Sequence, residues 1–135
     1  MLLIDTNILL RCSLGRTLTR VDDLRAGGVK LATTDRNVDE FFERLVNKFG
    51  RSQESAEAEV LRVLAPIELV PAEEYEHLRG LADARLHDGG KSDWPSLAAA
   101  LALKGEIWSD YTYYFGVGVP VWSTPNVKFA STADA

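Results

Sequence analysis

Apolar residues along the chain follow two rhythms, and the alternation between them lays out the fold. Residues 2–4, Leu-Leu-Ile, form a short continuous apolar run of the kind shown by a strand buried on both faces. Asp5-Thr6-Asn7 interrupts it with residues able to cap a helix, and Ile8-Leu9-Leu10 follows, so strand, turn and helix are predicted in that order. A second helix is predicted over 16–26, stopped by Gly27-Gly28, and a second strand over 29–32. Helical spacing is clearest beyond Thr34, where Val38, Phe41, Phe42, Leu45, Val46 and Phe49 fall on one stripe that ends at Gly50.

The same reading carries to the end of the chain. A helix from Ser52 presents Val60, Leu61 and Leu64 and stops at Pro66, and residues 67–70 form a third strand. Pro71 suits the first position of a helix running to about Leu86, with residues 87–92 a polar loop. Ser92 or Asp93 caps the next helix, which takes Pro95 in its first turn and ends at Lys104-Gly105. Residues 107–108 and 119–122 supply a fourth and a fifth strand, and the stretch 125–135 is expected to be a loose tail. Strands alternating with helices predict an α/β fold: an open, mainly parallel sheet of four or five strands, covered on both faces. In such sheets sites form outside the carboxyl ends of the strands, which directs attention to the polar residues there.

Composition narrows the picture. At 135 residues, 46% hydrophobic and 26% charged, the chain is expected to form one domain over residues 1–124. No apolar run approaches the roughly 18–20 residues that span a bilayer, and Met1-Leu2-Leu3-Ile4-Asp5 lacks the basic start of a secretory signal, so a cytoplasmic protein is expected. The one cysteine, Cys12, excludes an intrachain disulfide and a cysteine-rich zinc site, and in an apolar helix it reads as a small core residue. The net charge of −5 argues against a basic clamp on nucleic acid. It is compatible with an enzyme whose acids hold a divalent cation, because the bound ion reverses the local field.

Three acids stand where that chemistry would be placed. Asp5 follows the first strand, Asp110 comes two residues after Ile107-Trp108, and Asp93 opens the helix leading into that strand. Hard Mg²⁺ or Mn²⁺ ions take oxygen ligands, and a few carboxylates gathered around one can support phosphoryl chemistry. Each acid also has a plain structural reading: Asp5 and Asp93 as helix caps, Asp110 as a turn residue, Glu40 and Glu43 as solvated partners of Arg44 and Lys48. His77 and His87 have no second histidine at ligand spacing and read as surface or helix-end residues.

Taken together, LLIDTNILL, TTDRNVDEFFERL, SDWPSLAAALAL and IWSDYTYYFGVGVPVWST make the chain resemble a PIN domain of the VapC-like toxin type, from Met1 to about Thr124. The resemblance implies a three-layer α/β sandwich with an acidic Mg²⁺ or Mn²⁺ site that cleaves RNA, commonly in a homodimer held inactive by a cognate antitoxin. Asp5 matches the first family acid, Asp93 the acid before Trp-Pro, and Glu40 the middle acid better than Glu43. Similar sequences read Ile-Trp-Thr-Glu-Asp-x-Asp-Phe-Phe-Gly at the strand that carries the last acid. On residues 107–116 that pattern puts Asp110 at the glutamate, and Tyr111 and Tyr113 at the two aspartates.

The resemblance thus implies a metal-dependent endoribonuclease in which Asp5, Glu40, Asp93 and Asp110 are the catalytic and metal-holding acids, with Ser109 and Thr6 orienting them. Arg11, Arg36 and Lys91 are candidates for touching phosphates, or are solvated surface charges. The two tyrosines motivate an alternative, a PIN-fold protein with weakened or lost catalysis that binds RNA or a partner protein. Tyrosines at a site mouth can stack on unpaired bases for about 1–3 kcal/mol per base, although packing in the core is their commoner fate.

Overall fold

In the computed structural model, which describes residues 1–15, 17–111, 114 and 116–130 without the side chains of residues 88, 89 and 91, the run Leu2–Ile4 forms strand β1. Successive side chains of a strand point to opposite faces. Leu2 and Ile4 enter one buried cluster and Leu3 enters another, which is why an unbroken apolar triplet is required there.

The elements that follow are α1 (Thr6–Ser13), α2 (Leu18–Ala26), β2 (Leu31–Thr34), α3 (Asp35–Asn47), α4 (Gln53–Leu64) and β3 (Glu68–Val70). The chain continues with α5 (Arg79–Arg85), α6 (Trp94–Leu103), β4 (Glu106–Trp108) and β5 (Val121–Trp122). The five strands pair in parallel throughout, in the order β3-β2-β1-β4-β5. Helices α1 to α4 cover one face, burying Ile8, Leu9, Val21, Leu24, Phe41, Leu45 and Val63 against Leu2 and Ile4. On the other face α5 and α6 bury Ala82, Leu97, Ala98, Ala99 and Ala100 against Leu3 and Ile107. The three-layer α/β sandwich read from the sequence is the observed architecture. Cys12 is fully buried in the first cluster, as its apolar setting indicated.

Several boundaries differ from those read in the sequence. Strand β2 begins at Leu31 rather than residue 29 and runs through Thr33 and Thr34. The Thr33 hydroxyl donates to the carbonyl of Ile4 at 2.7 Å, tying β2 to β1, and the Thr34 hydroxyl accepts from the amide of Asn37 at 3.0 Å, capping α3. The single helix expected over 71–86 is instead two 3-10 turns, Ala72–Glu74 and Glu76–Leu78, followed by α5. The cause is Asp35 at the head of α3, whose carboxylate accepts from the amide of Ala72 at 3.1 Å and from the hydroxyl of the buried Tyr75. Held there, Tyr75 takes a φ of −134°, outside the helical range.

The loop expected over 87–92 contains a 3-10 segment, Asp88–Asp93. Of the stretch 125–135 expected to be loose, the described part is packed: Val127–Phe129 forms a 3-10 turn, and Val127 and Ala130 join the first core cluster. At the end of α6 the left-handed residue is Lys104, with φ 54°. Gly105 is needed for space, since a Cβ there would lie 2.7 Å from the carbonyl oxygen of Met1. No helix among the described residues is long and apolar enough to cross a membrane.

Candidate active site

Asp5 sits at the N-cap position of α1, where its backbone carbonyl accepts from the amides of Ile8 and Leu9 at 3.1 and 3.2 Å. Its carboxylate makes no cap bond. Instead one oxygen accepts from the hydroxyl of Ser96 on α6 at 3.0 Å and the other from the hydroxyl of Ser109, just past β4, also at 3.0 Å. Asp93 repeats the pattern: it occupies the N-cap position of α6, and its side chain forms no cap bond either. Thr34 and Ser52, in the same position on α3 and α4, do cap their helices, Ser52 by accepting from the amide of Ser55 at 3.1 Å. The two aspartates are therefore withheld from the task that local sequence would give them.

Behind Asp5 lies a network that fixes its orientation. Asn37 donates its side-chain amide to Ser96 at 2.8 Å, Thr6 donates its hydroxyl to Asn37 at 3.3 Å, and the amide of Tyr111 donates to Ser109 at 3.1 Å. Thr6 and Ser109 were expected in this role. Asn37 and Ser96 were not, although a lone hydroxyl in the otherwise apolar Trp-Pro-Ser-Leu-Ala-Ala-Ala-Leu-Ala-Leu helix is a visible departure. Such networks hold a buried charge in one geometry because every member is satisfied.

Electrostatics bring three of the four candidate acids together. Asp5 is 1% exposed, and burial pushes its carboxyl up, with the charge of Glu40 adding to the rise and the two serine hydroxyls opposing it. Asp93 is pushed up to about 7, first by burial and then by the negative charges of Asp5 and Glu40, against the pull of Arg44. Glu40 pairs with Arg44 one turn along α3 at 2.9 Å. Burial lowers Arg44, but Glu40, the Tyr111 hydroxyl that accepts from it and Asp93 outweigh this and leave the guanidinium raised. Glu43 is exposed, consistent with Glu40 as the middle acid. Tyr114 is fully buried, and its hydroxyl donates to the Asp93 carbonyl at 3.0 Å. Burial, then Asp5 and Asp93, hold that phenol well above its ordinary value.

Asp110 is committed elsewhere. One of its oxygens accepts from the amide of Thr124 at 2.7 Å; the other accepts from the Thr124 hydroxyl at 2.9 Å and pairs with Arg11 at 2.8 Å. Trp108 Nε1 donates to the same threonine hydroxyl at 3.1 Å, so the group clasps the chain beyond β5 to α1 and β4. Asp110, expected as the fourth acid of the site, thus braces the fold, and Arg11, read as either a phosphate contact or a solvated surface charge, is its counter-ion. Asp110→Ala should cost about 2–3 kcal/mol of stability in chemical denaturation, the range for losing charge-assisted hydrogen bonds, and should leave divalent-ion affinity unchanged by calorimetry. A variant that loses ion affinity without losing stability would return Asp110 to the site.

Tyr111 lies beside the acids through Arg44, whereas Tyr113 and the Lys91 side chain lie outside the described residues. His77 and His87 are exposed. Among the described residues, no three acidic, histidine or cysteine side chains close into a metal-holding group. Mg²⁺ and Mn²⁺ do not need one: such hard ions are commonly held by one or two carboxylates, with water and substrate phosphate completing the shell. The donor set fits that chemistry: Asp5 is raised by Glu40 and Asp93 by both, hydroxyl groups bond to the Asp5 carboxylate, and Arg44 is the cation beside Glu40 and Asp93.

A parallel α/β sheet with a buried carboxylate, Asp5, at the end of β1 and bonded to Ser109 beyond the adjacent strand β4 defines the class, a sandwich whose site lies at the carboxyl edge of its sheet. The family assignment agrees: the sequence matches the PIN domain family over residues 3–132, nearly the whole chain, and the protein belongs to that family, which carries a nuclease fold. A search of the curated proteins found no match.

Proposed function

We propose that the protein is a divalent-metal-dependent endoribonuclease, of the type that serves as the toxin of a type II toxin–antitoxin pair. The observation that carries this reading is the pair Asp5 and Asp93, both placed at helix N-caps without capping them and both electrostatically coupled to Glu40, with Asp5 buried and Asp93 and Glu40 half-buried. A carboxylate cap stabilises a helix by about 0.5–2 kcal/mol, so withholding two of them while burying their charge works against stability. Asp5, Glu40 and Asp93 would hold Mg²⁺ or Mn²⁺, and Asp110 is left out of the set. When bound, the ion activates water and neutralises the charge that develops on the phosphodiester. Ser96 and Ser109 keep the Asp5 carboxylate oriented, with Asn37 keeping Ser96 in place. Products with a 5′-phosphate and a 3′-hydroxyl follow from in-line attack by water.

Cytoplasmic RNA is the substrate on this reading, and a homodimer restrained by an antitoxin is its regulated form. An apolar groove lined by Val38, Phe42, Val60 and Leu61 and edged by Asp39 and Glu57 supports an antitoxin with a basic amphipathic segment. Tyr111, held by Arg44 where an acid is expected, favours the second reading, a PIN-fold protein with weakened catalysis that binds RNA or a partner. A single-turnover assay on a panel of single-stranded RNAs separates the two. Cleavage that needs Mn²⁺ or Mg²⁺ and is abolished by Asp93→Asn is expected for the nuclease. Absence of cleavage by the parent chain, with cleavage restored by Tyr111→Asp, would establish the weakened form.

A further inference from the structure

Two guanidinium groups rest on one tryptophan beside the acid cluster. The Cζ of Arg36 lies 5.2 Å from the centroid of the Trp94 ring, and that of Arg79 lies 4.7 Å from it. Trp94 directly follows Asp93 at the start of α6, and Arg36 precedes Glu40 by one turn of α3. The shelf is thus one position along the chain from Asp93, and one of its two cations is one helical turn from Glu40. Trp94 is only 6% exposed and also packs on Tyr75 with ring centroids 5.8 Å apart, so it serves as a shelf for cations and is too covered to stack a base.

The arginines themselves are accessible: their side chains are 46% and 57% exposed. Each has a carboxylate near it, Glu76 at 3.3 Å from Arg36 and Asp83 at 3.7 Å from Arg79. Exposed pairs of this kind are weak and readily exchanged. A phosphate offers the guanidinium a charge-assisted and often bidentate partner, which is stronger. Stacking on an indole fixes the orientation of both groups in advance, so less freedom is lost when a phosphate arrives. A chain of net charge −5 has particular need of such a local cationic seat next to its acids.

We propose that Arg36 and Arg79, both seated on the Trp94 ring, form a phosphate subsite that holds single-stranded RNA beside Asp93 and Glu40. The assignment rests on the nuclease reading above for its substrate, and deepens it by naming the residues that position the strand. Glu76 is then a competitor of the RNA for Arg36.

The test is binding of a short fluorescein-labelled oligouridylate, followed by fluorescence anisotropy in EDTA across a salt series, alongside cleavage of the same RNA with Mn²⁺. Arg36→Gln and Arg79→Gln should each weaken binding about three- to tenfold and lower the log–log salt slope by about 0.7, the value for one phosphate contact on a single strand. With Mn²⁺, their loss should fall on KM while kcat is kept. Glu76→Gln, at an exposed position, should tighten binding, an effect that a merely structural Arg36 would not give and that stands even if the arginine variants fold poorly. Unchanged slopes in both arginine variants, or an unchanged affinity in Glu76→Gln, would overturn the subsite even where the parent chain cleaves RNA. Slopes that fall as expected in a chain that cleaves nothing would uphold the subsite and sink the nuclease reading. A parent chain that fails to bind the oligouridylate overturns the subsite outright.

Discussion

Asp5→Asn is expected to reduce metal-dependent RNA cleavage about a thousandfold, or about 4 kcal/mol in the barrier, while raising the melting temperature of the ion-free protein at neutral pH. The two effects have one cause. Asp5 is buried and its carboxyl is pushed up chiefly by that burial, so its ionised form is disfavoured in the fold relative to the unfolded chain. Asparagine has nearly the same shape and removes the charge. Its carbonyl can still accept from one serine hydroxyl and its amide can donate to the other, so the pairing with Ser96 and Ser109 survives with one hydroxyl reversed. What asparagine does not supply is the negative oxygen that a hard cation prefers. Single-turnover cleavage and thermal melting on the same sample decide the matter. A variant that melts lower than the parent and cleaves as fast would make Asp5 a structural residue and leave the proposed function without its main support.

How much of this was legible beforehand depends on the distance over which each feature is determined. The triplet Leu2–Ile4 announces a two-faced strand by itself, and the stripe through Phe41 and Leu45 announces α3, because both patterns are set by neighbours within a few positions. Asp5, Asp93 and Glu40 were found as candidates, but spacing alone left each open between cap or surface pair and site. What separates the readings is contact with Ser96 and Ser109, which stand 91 and 104 residues from Asp5 along the chain. No local pattern carries that information. The helix expected over 71–86 failed for the same reason, since the carboxylate that rearranges it comes from Asp35, on another element. Asp110 shows the limit most plainly: laid on the family pattern it is one residue early, and near a strand end one residue can redirect a side chain. Here it meets Thr124 and Arg11.

In the absence of divalent ions, the gap in melting temperature between Asp93→Asn and the parent protein should open as pH rises from about 4 to about 7, with the variant the more stable. Asp93 titrates at the ordinary carboxyl value of 3.8 when unfolded and at about 7 when folded, mainly because it is buried and then because Asp5 and Glu40 are negative. Well below pH 3.8 the group is protonated in both states and costs nothing. Between the two values the unfolded chain sheds the proton while the folded chain keeps it, so the parent loses stability with each increment of pH. Above about 7 the loss is complete and the gap levels off. A divalent ion changes the balance, because it binds the carboxylates only after they are deprotonated and stabilises the state that holds it. Mn²⁺ should therefore raise the melting temperature of the parent little at pH 5 and clearly at pH 7.5, and should do much less for Asp93→Asn at either pH. Melting curves in EDTA and in Mn²⁺ across this range provide the measurement. A gap between variant and parent that stays flat with pH would show that Asp93 is an ordinary surface carboxylate, and an ion effect equal at pH 5 and 7.5 would place the ion away from these acids.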